Sequence, residues 1–211
     1  MSSKTDILTE LGLITPPKWL RSNIHYEAQI GSVAYGVSDS NSDIDVYGFC
    51  IPPRFIVFPH EAGYIQGFDK SLPRFDQFQA HHIKTKKEEY DITIFNITKY
   101  FQLCMDGNPN MIDALFVPER CVLHETTLAQ HVRTNRKIFL HKGCWHRFKG
   151  YAYQQMHKMI SKKALIGKRL ESVQKFGYDV KYAYHIVRLL DEVEQILIEE
   201  DLDLERNRKQ L

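Results

Sequence analysis

The chain has 211 residues, 43% hydrophobic and 26% charged, a balance that suits a globular protein and excludes a disordered one. No apolar run is long enough to cross a bilayer, and the opening MSSKTDILTE is too polar for a secretory signal, so a cytoplasmic protein with no membrane partner is expected. The net charge of +2 hides a basic block: residues 130–188 carry 14 Lys+Arg against 2 Asp+Glu, between acidic flanks with 11 against 16 and 3 against 8. A segment that basic faces either a polyanion or the acidic segments of its own chain.

Taken in order, TDILTELGLI reads as a short amphipathic helix stopped by Pro16 and Pro17. NIHYEAQI alternates apolar and polar residues as a half-buried strand does, and it runs directly into Gly31. DIDVYGFCI is a second strand, closed by Pro52 and Pro53, and YDITIFNI a third, rich in β-branched and aromatic residues. From Ile97 the pattern turns helical in ITKYFQLCM, breaks at DGNPN, where Asn110 is expected to cap the next helix, and resumes in MIDALF. Beyond Glu125 the chain reads as almost wholly helical, with breaks near Gly143 and Gly177. The expected architecture is α+β: an α/β domain over residues 1–120, with a small mixed sheet of three to five strands, then a helical region over residues 121–211. Cys50, Cys104, Cys121 and Cys144 have no paired spacing and read as reduced, buried thiols. His141, Cys144 and His146 do not have the spacing of a structural zinc site, and His81-His82 reads as strand surface.

The stretch GSVAYGVSDSNSDIDVYG, residues 31–48, packs no core at either end. Side chains alternate along a strand, so Asp43 and Asp45 project from one face while Ile44 and Val46 project from the other. Two such carboxylates repel each other unless a cation or several hydrogen bonds compensate. Oxygen ligands supplied by few side chains suit Mg²⁺, which completes its shell with water and a substrate phosphate. Gly31 has no Cβ to block an approaching anion, and Ser32 adds a hydroxyl donor. In EEYDITIF, Tyr90, Ile92 and Ile94 share one face and leave Asp91 on the other, a third acid for a two-metal arrangement on one edge of the sheet. Each residue keeps a plainer alternative: Asp43 as a turn cap, Asp91 as a solvated strand start, Ser42 as a turn residue rather than a ligand.

GSVAYGVSDSNSDID resembles the G-S-x(10)-D-x-D signature of the DNA polymerase β-like nucleotidyltransferase superfamily, with glycine, serine and both aspartates at the superfamily spacing and Ser42 directly before the first aspartate. A narrower resemblance runs over roughly residues 30–205. DITIFNITKYFQLCMDGNPNMIDALFVP, FKGYAYQQ and GYDVKYAYHIVRLLDEVE look like the predicted nucleotidyltransferase family linked with RNA repair. The resemblance implies a polymerase β-like palm bearing Asp43, Asp45 and Asp91, two Mg²⁺ (or Mn²⁺) ions, and a nucleoside triphosphate such as ATP as substrate. It also implies a helical appendage, transfer of a nucleoside monophosphate, and RNA as a partner. Relatives of this kind run on beyond the point where this chain ends at RNRKQL, so a missing C-terminal piece is among the expectations.

Within the helical region, Lys181, His185 and Arg188 fall at about 0, 40 and −20 degrees around a helix and share one narrow face. That stripe suits a triphosphate or a nucleic-acid backbone; alternatively it is a solvated face answered by Glu192. Tyr151 and Gln155 lie one turn apart and would hold a base or ribose, or pack the helix. The rival readings of function are nucleotidyl transfer to a protein or small molecule, and a non-catalytic nucleotide- or RNA-binding module. The base, the acceptor and the oligomeric state stay open. HKMISKKALIGKR places five Lys/Arg in thirteen residues, including Lys158, Lys162 and Lys163, which favours RNA with a free 3′ end as acceptor.

Overall fold

Period-two alternation builds a five-stranded mixed sheet in the computed structural model, which describes residues 2–37, 43–63, 74–86, 88–161 and 168–206. Strands β1 (Ile24–Ile30), β2 (Ile44–Cys50), β3 (Gln77–Lys84), β4 (Glu89–Asn96) and β5 (Val122–Glu125) lie in the order β3-β4-β2-β1-β5. β2 runs parallel to β4, and the other neighbours pair antiparallel. β1, β2 and β4 are the three strands read from the sequence. β3 and β5 are additions: β3 is a polar strand at the sheet edge, exposed at Gln79, His81, His82 and Lys84, and β5 has only four residues, so neither carries a clear alternation.

The chain folds as two units, residues 1–102 with 117–134 and residues 103–116 with 135–211. In the first, α1 (Lys4–Glu10) is held at its N-terminus by a buried carboxylate: Glu27 of β1 accepts from the Lys4 and Thr5 backbone N–H groups and the Thr5 hydroxyl. An acid there meets the positive end of the helix dipole. Burial still dominates and pushes the Glu27 carboxyl up, against the pull of those hydrogen bonds. The helix stops before Gly12, which takes a left-handed φ of 69°, well short of the prolines expected to end it.

The short α2 (Arg54–Val57) follows β2. On one face of the sheet Val46, Cys50, Ile92 and Ile94 pack with Leu8 of α1, Leu20 and Ile24. On the other, Phe49 and Phe95 meet Tyr100 of α3 (Ile97–Met105), with ring centroids 5.2 and 6.1 Å away. α4 (Pro109–Phe116) belongs to the second unit and is capped by Asn108, not Asn110: the Asn108 Oδ1 accepts from the Asn110 and Met111 N–H groups at 3.1 and 3.4 Å. Pro109 takes the first helical position, where its missing N–H costs nothing. α5 (Thr127–Thr134) returns to the sheet, and its buried Arg133 donates to Glu119 at 3.0 Å, Glu125 at 3.1 Å and the Val117 carbonyl at 3.3 Å.

The second unit is helical: α6 (Cys144–Ser161), α7 (Lys168–Phe176) and α8 (Val180–Glu199), with α6 against α8 as its main packing. All four cysteines are buried and none is in a disulfide. No described helix is long and apolar enough to cross a membrane.

Gly48 sits where β1, β2 and β4 press together, opposite Glu27 on one side and Ile94 on the other. A Cβ there would lie 2.0 Å from the Tyr26 carbonyl oxygen. Gly48→Ala is therefore expected to destabilise the protein by about 3 kcal/mol or more, a fall of about 6–12 °C in Tm by thermal melting. An unchanged Tm would mean that this strand contact is loose.

Candidate active site

β1 ends in a tight turn at Gly31–Val33. Gly31 has φ 78°, which favours glycine, and the turn closes through Gly36 N–H to Val33 O at 3.1 Å and Val37 N–H to Ser32 O at 2.9 Å. Arg120 fastens it from outside by donating to the Val33 carbonyl at 2.9 Å. A Cβ on Gly31 would stand 3.1 Å from Asp45 Oδ2. The missing side chain thus leaves the turn lying directly against a carboxylate, with the Ser32 hydroxyl making no hydrogen bond among the described residues.

Asp45, second residue of β2, pairs with Ile30 on β1 and with Asp91 on β4, so two aspartates stand in register on adjacent parallel strands. Asp43 lies exposed one residue before β2. Asp45 and Asp91 therefore stand at the beginnings of two interior strands, with Asp43 just ahead of β2, and not on an edge strand. Asp91 has partners the sequence did not suggest. Its Oδ1 accepts from the His82 backbone N–H at 2.7 Å, and its Oδ2 lies 3.5 Å from His81 Nδ1. β3 is irregular between Ala80 and Ile83, with His82 at φ 54°, and that bulge lets consecutive residues both reach Asp91. His82 Nδ1 also meets Glu89 Oε1 at 2.8 Å; this hydrogen bond first, then the charges of Asp91, Glu89 and Asp43, raises its imidazole pKa. A regular strand would send His81 and His82 to opposite faces, so no spacing rule marks both.

Among the described residues no three His, Cys, Asp or Glu side chains form a complete metal-binding group. The pair that is in register fits a hard divalent cation: the carboxylates of Asp45 and Asp91 offer oxygen donors, beside a Cβ-free turn against Asp45 through which a phosphate can supply further oxygens.

The remaining candidate residues are spread over different surroundings. Ser42 lies outside the described residues, as do Lys162 and Lys163. Lys181 is exposed. Arg188 is buried, its guanidinium 2.7 Å from Asp113 and 2.6 Å from Glu192, so within its unit it holds α8 to α4. Glu192 is pushed well up, by burial first and then by Asp113. His185 is half-buried, and desolvation, with Arg188, Lys181 and Arg169 nearby, takes its pKa down to about 4, so its ring is neutral at pH 7. Tyr151 lines an open cleft of about 400 Å³ with Asn108, Asn110, Arg147 and Gln154, whereas Gln155 is buried.

Comparison with known families gives the class first: the chain falls within a DNA polymerase beta family. More narrowly, it belongs to the RNA repair pathway DNA polymerase beta family (RlaP), whose sequence pattern matches residues 6–204. A solved nucleotidyltransferase-like protein from Exiguobacterium sibiricum 255-15 aligns at 7% identity with a TM-score of 0.37, over 92% of this chain and 56% of that one. This chain thus spans 56% of that neighbour's length. No curated protein matches.

His185 carries a pH prediction. Its folded pKa of about 4 lies below the ordinary 6.5, so the unfolded chain binds the extra proton between those values. The contribution is complete above pH 6.5 and is lost as the pH falls toward about 4. The expected loss is about 2–3 kcal/mol. Thermal melts of wild type and His185→Gln from pH 7 to pH 4 should differ increasingly as acid is added; a constant difference would place the ring in water.

Proposed function

We propose that the protein transfers a nucleoside monophosphate from a nucleoside triphosphate to an acceptor hydroxyl, in RNA repair the 3′ end of an RNA. The observation that carries this reading is the in-register pair Asp45 and Asp91 beside the left-handed Gly31 turn. Carboxylates set side by side on neighbouring strands repel each other unless a cation or hydrogen bonds compensate, and a divalent cation held between them would do so. Asp43, Asp45 and Asp91 would hold two Mg²⁺ or Mn²⁺ ions, which when bound supply Lewis-acid stabilisation of charge on the transferring phosphoryl group.

The chain's own residues do the rest. The Gly31 turn and Ser32 hydroxyl receive the β- and γ-phosphates as hydrogen-bond donors. Asp91 accepts the proton of the attacking hydroxyl as its oxygen bonds to the α-phosphorus, and the bond to the β-phosphate oxygen breaks to release pyrophosphate. Its hydrogen bond from the His82 N–H holds the Asp91 carboxylate in one orientation.

The basic segment supports an RNA acceptor. Within their own units, Arg133, Lys137, Arg147, Arg169 and Arg188 are answered by carboxylates. Lys142, Lys149, Lys158, Lys175 and Lys181 make no ion pair among the described residues. A triphosphate needs two or three cations, and the surplus suits a longer polyanion.

Asp45→Asn is expected to lower transfer of α-labelled nucleotide at least about 100-fold while leaving Tm equal or higher, because carboxylate repulsion is relieved. A large fall in Tm instead would assign Asp45 a structural role. For the acceptor, RNA affinity should fall by about 0.7 log units per log unit of salt for each phosphate contacted. Lys158→Ala with Lys162→Ala and Lys163→Ala should flatten that slope while nucleotide binding holds. An unchanged slope, or no RNA binding at low salt, would turn the acceptor toward a protein or small molecule.

A further inference from the structure

α6 has three distinct faces. Cys144, Phe148, Ala152 and Gln155 are buried. Arg147, Tyr151 and Gln154 line the cleft of the helical unit. The third face is unlike a solvated helix surface: Trp145, Lys149, Tyr153, Met156 and Ile160 fall within about 80 degrees of arc at 3.6 residues per turn. Trp145 is 38% exposed, Tyr153 65% and Ile160 76%. Lys149 Nζ lies 5.5 Å from the centroid of the Trp145 ring. The helix, CWHRFKGYAYQQMHKMIS, contains no acidic residue.

We propose that this face binds single-stranded RNA, with the Trp145 and Tyr153 rings stacking on unpaired bases and Lys149 meeting the phosphate backbone. The proposal rests on the RNA-acceptor reading above and assigns it a surface. Charge complementarity selects the occupant. A dry protein interface would bury the Lys149 ammonium among apolar groups without a partner, which is why lysine is depleted from such interfaces. A polyanion supplies that partner, and the π-faces of bases cover the rings without sequence preference. Duplex RNA keeps its base faces stacked inside, so only unpaired bases fit. Eight residues of helix separate the two rings by about 12 Å, well beyond a stacked step of about 3.4 Å. The two rings therefore take bases that are not adjacent, along an extended strand.

The chain has two tryptophans, so Trp19→Phe leaves Trp145 as the sole indole reporter. In that background, titration at low salt with an oligouridylate of about 15 nucleotides should quench Trp145 emission saturably, and a duplex of equal length should not. By anisotropy of labelled oligouridylate, Tyr153→Ala and Trp145→Leu should each weaken binding about 5- to 100-fold. Lys149→Gln should lower the salt slope by about 0.7. Circular dichroism checks that each variant stays helical. Because binding is read without nucleotide, Asp45→Asn should bind RNA as the wild type does, whatever becomes of transfer. Oligouridylate binding that survives both aromatic substitutions overturns this surface and leaves the RNA acceptor standing. Absence of any RNA binding by the wild type overturns the acceptor as well. Self-association in sedimentation that Tyr153→Ala abolishes, without effect on RNA binding, would make the face a protein interface and overturn the proposal.

Discussion

The parallel pairing of β2 with β4 is the constraint on which the site depends. It sets Asp45 opposite Asp91 and runs the apolar residues of both strands into a common core, Val46 against Ile92 on one face and Phe49 against Phe95 on the other. Parallel neighbours need a long connection, and residues 51–88 provide it, bringing β3 back along the outside of β4. That return carries the bulge that ties His82 to Asp91. The unfavourable juxtaposition of two carboxylates is thus built into a register that the surrounding core enforces. A one-residue slip would turn every side chain of β2 to the opposite face and bury the acids.

Each unit also contains ionic groups removed from water. Glu27 anchors α1 to β1, and Arg133 joins α5 to the Glu119 turn and β5. In the helical unit Arg188 spans α8 and α4 through Asp113 and Glu192. Buried ion pairs contribute little net stability compared with well-packed apolar groups, but removing one partner strands the other at a cost of about 3–5 kcal/mol. Their effect is to make alternative packings expensive.

The same accounting divides the basic segment. Cations answered by nearby carboxylates serve the fold, whereas several lysines make no ion pair among the described residues and leave their positive field uncompensated there. Internal pairing thus accounts for Arg188, whereas Lys149 makes no ion pair among the described residues, although composition treats them alike.

By itself the sequence determined the three central strands, the faces on which Asp45 and Asp91 stand, the glycine turn ahead of them and the helical second half. These follow from local rules: alternation along a strand, the freedom of glycine at positive φ, and apolar periodicity around a helix. Only the tertiary structure decided what depends on partners distant in the chain. Local spacing cannot show that β3 bulges at His82, because the bulge arises from pairing with β4. Nor can it show that Arg188 is enclosed, because Asp113 lies 75 positions earlier. The cap on α4 passed from Asn110 to Asn108 because Pro109 takes the first turn of that helix. The helical wheel that aligned Lys181, His185 and Arg188 fixed their directions, while the packing of α8 decided which of them meets water, and burial rather than spacing keeps the His185 ring neutral at pH 7.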